Sequence, residues 1–154
     1  MELADLLVPG AVAAGVKATS KKQLLGVLAA QSGKLLNMDE RLILEAILER
    51  ERLGSTGLGG GVAIPHAKLP GLKAVTGVFM QLETPLDFDA LDGKPVDLVF
   101  LLLSPEDAGA EHLKALARVS RLFRDQATLA KLRGSSSGDA LYALLAAHGQ
   151  QKAA

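Results

Sequence analysis

Hydrophobic and polar positions along the chain fall into segments of different period. Ser20-Lys21-Lys22-Gln23 reads as a capping box, with Ser20 as N-cap and Gln23 reaching back. Leu24, Leu25, Val27 and Leu28 follow at helical spacing, and Gly33 offers a stop. Asn37-Met38-Asp39-Glu40 starts a second helix with its acids on the first turn, where the helix dipole favours them. Leu42, Ile43, Ala46, Ile47 and Arg50 lie on one side of that helix, which ends at Gly54. Ser55 to Gly61 holds four glycines in seven residues and predicts a loop or an irregular strand entry. Val62-Ala63-Ile64 is a short apolar run closed by Pro65, and Ala74 to Leu82 reads as a strand. Pro85 to Pro95, with Asp92-Gly93, has the residues of a hairpin or meander turn. Val96 to Leu103 is continuously apolar between prolines, the pattern of a strand buried on both faces. Ser104-Pro105-Glu106-Asp107 announces a helix over roughly 109–124. Shorter helices are predicted near 126–133 and 138–148, meeting Gly134 and Gly149 at their ends.

Strands in the middle and helices at both ends predict an α/β fold, a mixed β-sheet flanked by helices on both faces. A single domain is expected over residues 1–150, with a frayed tail over 151–154. Ser135-Ser136-Ser137-Gly138 is a loop, too short for a domain linker. With 49% apolar and 22% charged residues, the 154-residue chain fills a core and is unlike a disordered segment. Seventeen basic residues balance seventeen acidic ones, so the basic excess of a nucleic-acid binder is missing. One tyrosine and four phenylalanines make no stacking platform for bases. The absence of cysteine excludes thiolate nucleophiles and Cys-based metal sites. Met1 to Leu7 carries two acids and lacks the basic start of a secretory signal. The strongly apolar run Leu98 to Leu103 falls far short of the ~20 residues a membrane span needs. A cytoplasmic protein without membrane insertion is expected.

Three histidines narrow the search for chemistry. His148, in the last helical turn beside Gly149, reads as a partly exposed residue favoured near a helix C-terminus, with no site. His66 directly follows Pro65, whose ring fixes its own φ and holds Ile64 extended, so the imidazole is delivered in a set direction. Gly59, Gly60 and Gly61 precede it and leave backbone N–H groups open to cradle an anion. The tract is neither a Walker A loop nor a Rossmann fingerprint. From the residues alone, His66 reads equally as a turn histidine at a strand end. His112 lies in the first turn or so of the helix after the buried strand, where a neutral imidazole is favoured, flanking the buried face with Leu116, Val119 and Phe123. It reads alternatively as a capping or half-buried packing residue. Arg50, sixteen residues before His66, could reach an anion held by the loop, or instead pair with Glu51 or Asp39, or cap the end of its own helix. A stripe of Lys114, Arg118 and Arg121 reads as a solvated face or a dock for an acidic partner. A metal site on His66, His112 and Glu111 lacks the His-Glu-x-x-His spacing.

The segment from Arg50-Glu51-Arg52-Leu53-Gly54-Ser55-Thr56-Gly57 through Leu58-Gly59-Gly60-Gly61-Val62 to Ala63-Ile64-Pro65-His66-Ala67-Lys68 resembles the active-site stretch of bacterial phosphotransferase-system enzyme IIA domains of the fructose/mannitol type. The resemblance continues through Leu98 to Glu106 and His112 to Ala117 and covers nearly the whole chain. The Ala-Ile-Pro-His core with its glycine spacing is the specific part. The resemblance implies that His66 accepts a phosphoryl group from the phosphohistidine of an HPr-like phosphocarrier, with His112 and Arg50 lining the same site. For such a transfer the residues themselves offer supporting donors, expected in the backbone near Gly59, Gly60 and Gly61, in the hydroxyls of Ser55 and Thr56, and in Arg50. Asp107 to Glu111 lacks the additional histidines some relatives carry there. A stand-alone IIA with Gly54-Ser55-Thr56-Gly57 most resembles the nitrogen-regulatory branch, which signals through its phosphorylation state to regulatory target proteins. The alternatives are a sugar-specific subunit passing phosphate to a separate IIB and a binding module that does not transfer. The implied chemistry needs neither metal nor cofactor.

Overall fold

The computed structural model describes residues 1–149, so the tail expected over 151–154 lies outside the described residues. After a 3-10 turn at Leu3–Asp5, the chain runs β1 (Leu7–Val16), α1 (Lys21–Leu36), α2 (Glu40–Arg52), β2 (Gly57–Gly59) and β3 (Val62–Ala63). It continues through β4 (His66–Leu69), β5 (Thr76–Leu86), β6 (Val96–Pro105), α3 (Gly109–Arg124), α4 (Gln126–Arg133) and α5 (Gly138–Ala147). The six strands form one mixed sheet in the order β1-β5-β6-β3-β2, with β4 also on β6. β1 is parallel to β5, β5 antiparallel to β6, and β3 and β4 parallel to β6. Leu98, Phe100 and Leu102 point to one face of β6 and Val99, Leu101 and Leu103 to the other, and all six are fully buried. Both faces of the sheet are therefore covered.

The predicted elements match closely where the apolar period is strong; β4 has no predicted counterpart, and three further segments differ. β1 lies in a stretch the sequence left unassigned, so the sheet begins before the first helix. Gln23 caps one residue further back than expected: Ser20 Oγ accepts from Gln23 N at 3.1 Å, while Gln23 Oε1 accepts from Thr19 N at 2.6 Å. α1 runs through Gly33 to Leu36 and ends on Asn37, whose φ of 53° is left-handed. Gly33 instead serves packing, because a Cβ there would stand 2.8 Å from the Met38 carbonyl oxygen. β5 extends through Pro85 to Leu86 before residues 87–95 return the chain to β6.

β3 and β4 continue each other along one edge of β6. Val62 pairs with Leu98 and His66 with Leu102, the same offset on both sides of Ile64-Pro65. Pro65 has no N–H, so the ladder breaks there. Its carbonyl still accepts from Leu102 N at 2.9 Å. The break leaves the Ile64 carbonyl available to a side chain, and this positions the site.

Candidate functional site

His66 opens β4, half-buried, with its ring fixed at both nitrogens. Nδ1 lies 2.8 Å from the Ile64 carbonyl oxygen, which can only accept, so Nδ1 carries the proton. Nε2 then bears a lone pair, and Arg50 Nε donates to it at 3.2 Å. Arg50 Nη1 donates to the Gly54 carbonyl at 2.9 Å, tying the guanidinium to the end of its own helix. The pairings with Glu51 and Asp39 considered from sequence do not form. Burial holds the His66 pKa below the ordinary imidazole value; the Arg50 cation pushes the same way, against the Ile64 bond and the Glu51 carboxylate. A neutral ring with an in-plane lone pair is a nucleophile.

His112 is buried rather than flanking, at 7% exposure. Its ring centroid stands 5.6 Å from that of His66, tilted by 53°. Nδ1 lies 2.6 Å from Ser104 Oγ. Burial, then His66 and Lys68, lower the His112 pKa, so this ring too is neutral. Both imidazoles and Arg50 line a cleft of about 320 Å³ with Ala46, Glu49, Leu53, Ala67 and Lys68. Lys68 follows His66 by two residues on β4, and the pleat turns both side chains to one face. The sequence pattern by itself gives neither Lys68 nor Ser104 a role. The period-two spacing after Pro65 could have identified Lys68; the Ser104 contact spans a strand end and a helix turn and leaves no local signal.

The glycine cradle is elsewhere. Gly59, Gly60 and Gly61 form the tight turn between β2 and β3, all at positive φ. Gly61 O accepts from Asp97 N and Leu98 N, whereas His66 pairs with Leu102. Four residues of β6 separate these levels, about 13 Å of strand. Gly60 N donates to Asp92 Oδ2 and Gly60 O accepts from Arg133, so the turn is held by side chains. Ser55 and Thr56 are occupied as well. Ser55 Oγ donates to the Phe88 carbonyl at 2.9 Å and accepts from Gly57 N. Thr56 is buried with its hydroxyl on Glu51, whose carboxylate also takes Lys21 Nζ at 2.9 Å. These residues brace the loop beside Arg50 and point no donor at His66.

Two further expectations change. Arg118 is buried, which breaks the proposed stripe with Lys114 and Arg121. His148 is buried too, at 6% exposure. Arg118 donates to His148 Nδ1 at 2.9 Å and to its carbonyl at 2.5 Å, and His148 Nε2 donates to Asp125 Oδ2 at 3.1 Å. This chain of bonds joins α3, α4 and the end of α5. Among the described residues no helix is long and apolar enough to cross a membrane.

Comparison with known proteins finds chains of similar sequence and fold. Residues 5–148 match the family model described as phosphoenolpyruvate-dependent sugar phosphotransferase system, EIIA 2. The chain is 53% identical over 146 residues to a nitrogen regulatory protein of Bradyrhizobium diazoefficiens, covering 95% of each. It is 40% identical over 156 residues to a nitrogen regulatory protein of Klebsiella oxytoca, covering 100% of this chain and 96% of that one. The crystal structure of nitrogen regulatory protein IIA-Ntr from Neisseria meningitidis superposes with a TM-score of 0.86 at 37% identity, covering 92% of this chain and 97% of that one.

Proposed function

The chain belongs to the phosphotransferase-system EIIA 2 family, and from that premise we propose that it is a nitrogen-regulatory phosphocarrier accepting a phosphoryl group on Nε2 of His66. The observation that carries this reading is the His66 tautomer. The Ile64 carbonyl keeps the proton on Nδ1, and the lone pair of Nε2 faces a cleft lined by a guanidinium and a second neutral imidazole. The expected donor is the phosphohistidine of an HPr-like phosphocarrier. Its N–P bond breaks, the electron pair leaves with the carrier imidazole, and the Nε2–P bond forms. Nδ1 retains its proton on the Ile64 carbonyl. Charge gathers on the three equatorial phosphoryl oxygens, so catalysis is positioning and electrostatics. Arg50 releases the lone pair and turns its N–H groups to those oxygens, and His112 donates from the other wall. Both nucleophiles are imidazole nitrogens, which makes transfer reversible.

Exposed leucines support protein partners at this cleft. Leu53, on its rim, is 81% exposed and Leu113, beside His112, is 66% exposed. Leu42, grouped by the sequence pattern on one side of α2 with Ile43 and Ile47, is 55% exposed while those two are fully buried. Leu42 and Ala46 on α2 and Leu53 at its C-cap share one helix face with Glu49, so this face offers apolar side chains, interrupted by one carboxylate, leading to the histidines. A phosphoryl group on His66 adds roughly −1.5 to −2 charge beside that face. Regulatory targets can thereby read the phosphorylation state. The nitrogen-regulatory names of the relatives favour this role over sugar-specific transfer to a separate IIB. The test is incubation with the phosphorylated carrier: the chain gains one acid-labile phosphoryl group and His66→Ala gains none. Uptake by the alanine variant removes His66 from the reaction.

A further inference from the structure

Ser104 sits at the end of β6, paired across the strand with Lys68, two positions beyond the pairing of Leu102 with His66. Its side chain is fully buried, and among the described residues its hydroxyl has one hydrogen-bond partner, His112 Nδ1 at 2.6 Å. A serine hydroxyl owns a single proton. Directed anywhere but Nδ1, that proton would be an unmade donor in the core, an arrangement folded proteins avoid. The hydroxyl therefore donates, Nδ1 accepts, and the ring proton of His112 resides on Nε2, the edge opposite Ser104.

We propose that Ser104 is a positioning residue that holds His112 in its Nε2–H tautomer, so that the neutral ring presents a donor to the phosphoryl group on His66. The inference rests on the phosphoryl-acceptor reading above and deepens it. The two histidines are thus set as opposite tautomers by two buried partners. A carbonyl, which can only accept, forces His66 to keep its proton on Nδ1 and expose a lone pair. A hydroxyl with no other partner forces His112 to expose an N–H. The reverse tautomer of His112 would turn a lone pair toward anionic oxygens and repel them. Burial and the charges nearby, which disfavour the imidazolium, act in the same direction.

Imidazole nitrogen NMR on the unphosphorylated full-length chain tests the tautomer, and rapid-quench phosphoryl transfer tests its consequence. The chain is expected to show His112 protonated on Nε2 and bare on Nδ1, and Ser104→Thr, which keeps the hydroxyl, to match it. Ser104→Ala is expected to populate both tautomers, raise the His112 pKa and slow transfer about tenfold. That is the low end of the loss seen when a metal-bound histidine loses its orienting partner. Binding of the carrier should not change. A His112 proton on Nδ1 in the unaltered chain overturns the proposal. So does a threonine variant that behaves like alanine, or an alanine variant with unaltered tautomer and rate. If no variant takes up phosphate, the His66 reading fails, while the spectra still decide the tautomer.

Discussion

Replacing Arg50 with alanine removes the guanidinium that now donates to the His66 lone pair at 3.2 Å and to the Gly54 carbonyl at 2.9 Å. Two effects oppose each other. In the resting protein the bond to Nε2 ties up the nucleophile, and its loss frees about 1 kcal/mol of reactivity. In the transition state the same N–H groups face developing charge, where one lost donor raises the barrier by about 3 kcal/mol. The net loss is about 2 kcal/mol, or roughly 30-fold in rate at 1.36 kcal/mol per factor of ten. A second effect accompanies it: with the cation gone the His66 pKa rises, though burial still holds it below the ordinary value. Rapid-quench transfer from the labelled phosphocarrier measures the first, and NMR titration of the His66 ring the second. An unchanged rate together with an unchanged pKa would refute the reasoning. A faster variant would show that Arg50 only plugs the nucleophile.

Folding stability is expected to fall as pH drops below 6.5, the ordinary imidazole value, because His66 and His112 bind protons more readily unfolded than folded. Asp92 and Asp125, held below their usual 3.8, withdraw stability only in more acidic solution. Denaturant melts across pH 5–7 should slope upward, and the double variant His66→Ala/His112→Ala should flatten the slope; an unaltered slope contradicts the assignment. Gly77→Ala would place a Cβ 2.4 Å from the ring of fully buried Phe100, which meets Phe79 edge-on at 6.2 Å. The expected loss is about 1–3 kcal/mol, read as a lower urea midpoint, and an unmoved midpoint contradicts it. Arg118→Met keeps the bulk but leaves the His148 carbonyl and Nδ1 without this donor, lowering stability by about 1–3 kcal/mol. Calorimetry that finds no loss would make the bond chain through His148 unimportant.

How much the sequence reveals depends on how local each determinant is. α2, α3, α4 and β6 are legible because the apolar pattern of each lies within its own segment, even for α3, which starts on Ala108 without a side-chain cap. β1 is not, because Pro9 and the positive-φ glycines Gly10 and Gly15 interrupt its alternation and it pairs with β5 in broken register. The convergence of His66, His112 and Arg50 on one cleft follows from a proline-fixed strand and two helix ends. The glycines close to His66 in sequence lie remote from it in space, because an extended strand carries them away. Ser55 and Thr56 carry hydroxyls suited to an anion, yet Phe88 and Glu51 engage them first. Ser104 and His148 become meaningful only through partners 8 and 30 residues away.

Phosphorus–nitrogen NMR on the chain after transfer from the carrier bears most directly on how the ring of His66 is set. One phosphoryl group bonded to its Nε2, with Nδ1 still protonated, is the predicted result. Attachment at Nδ1, or on any other residue, would contradict it.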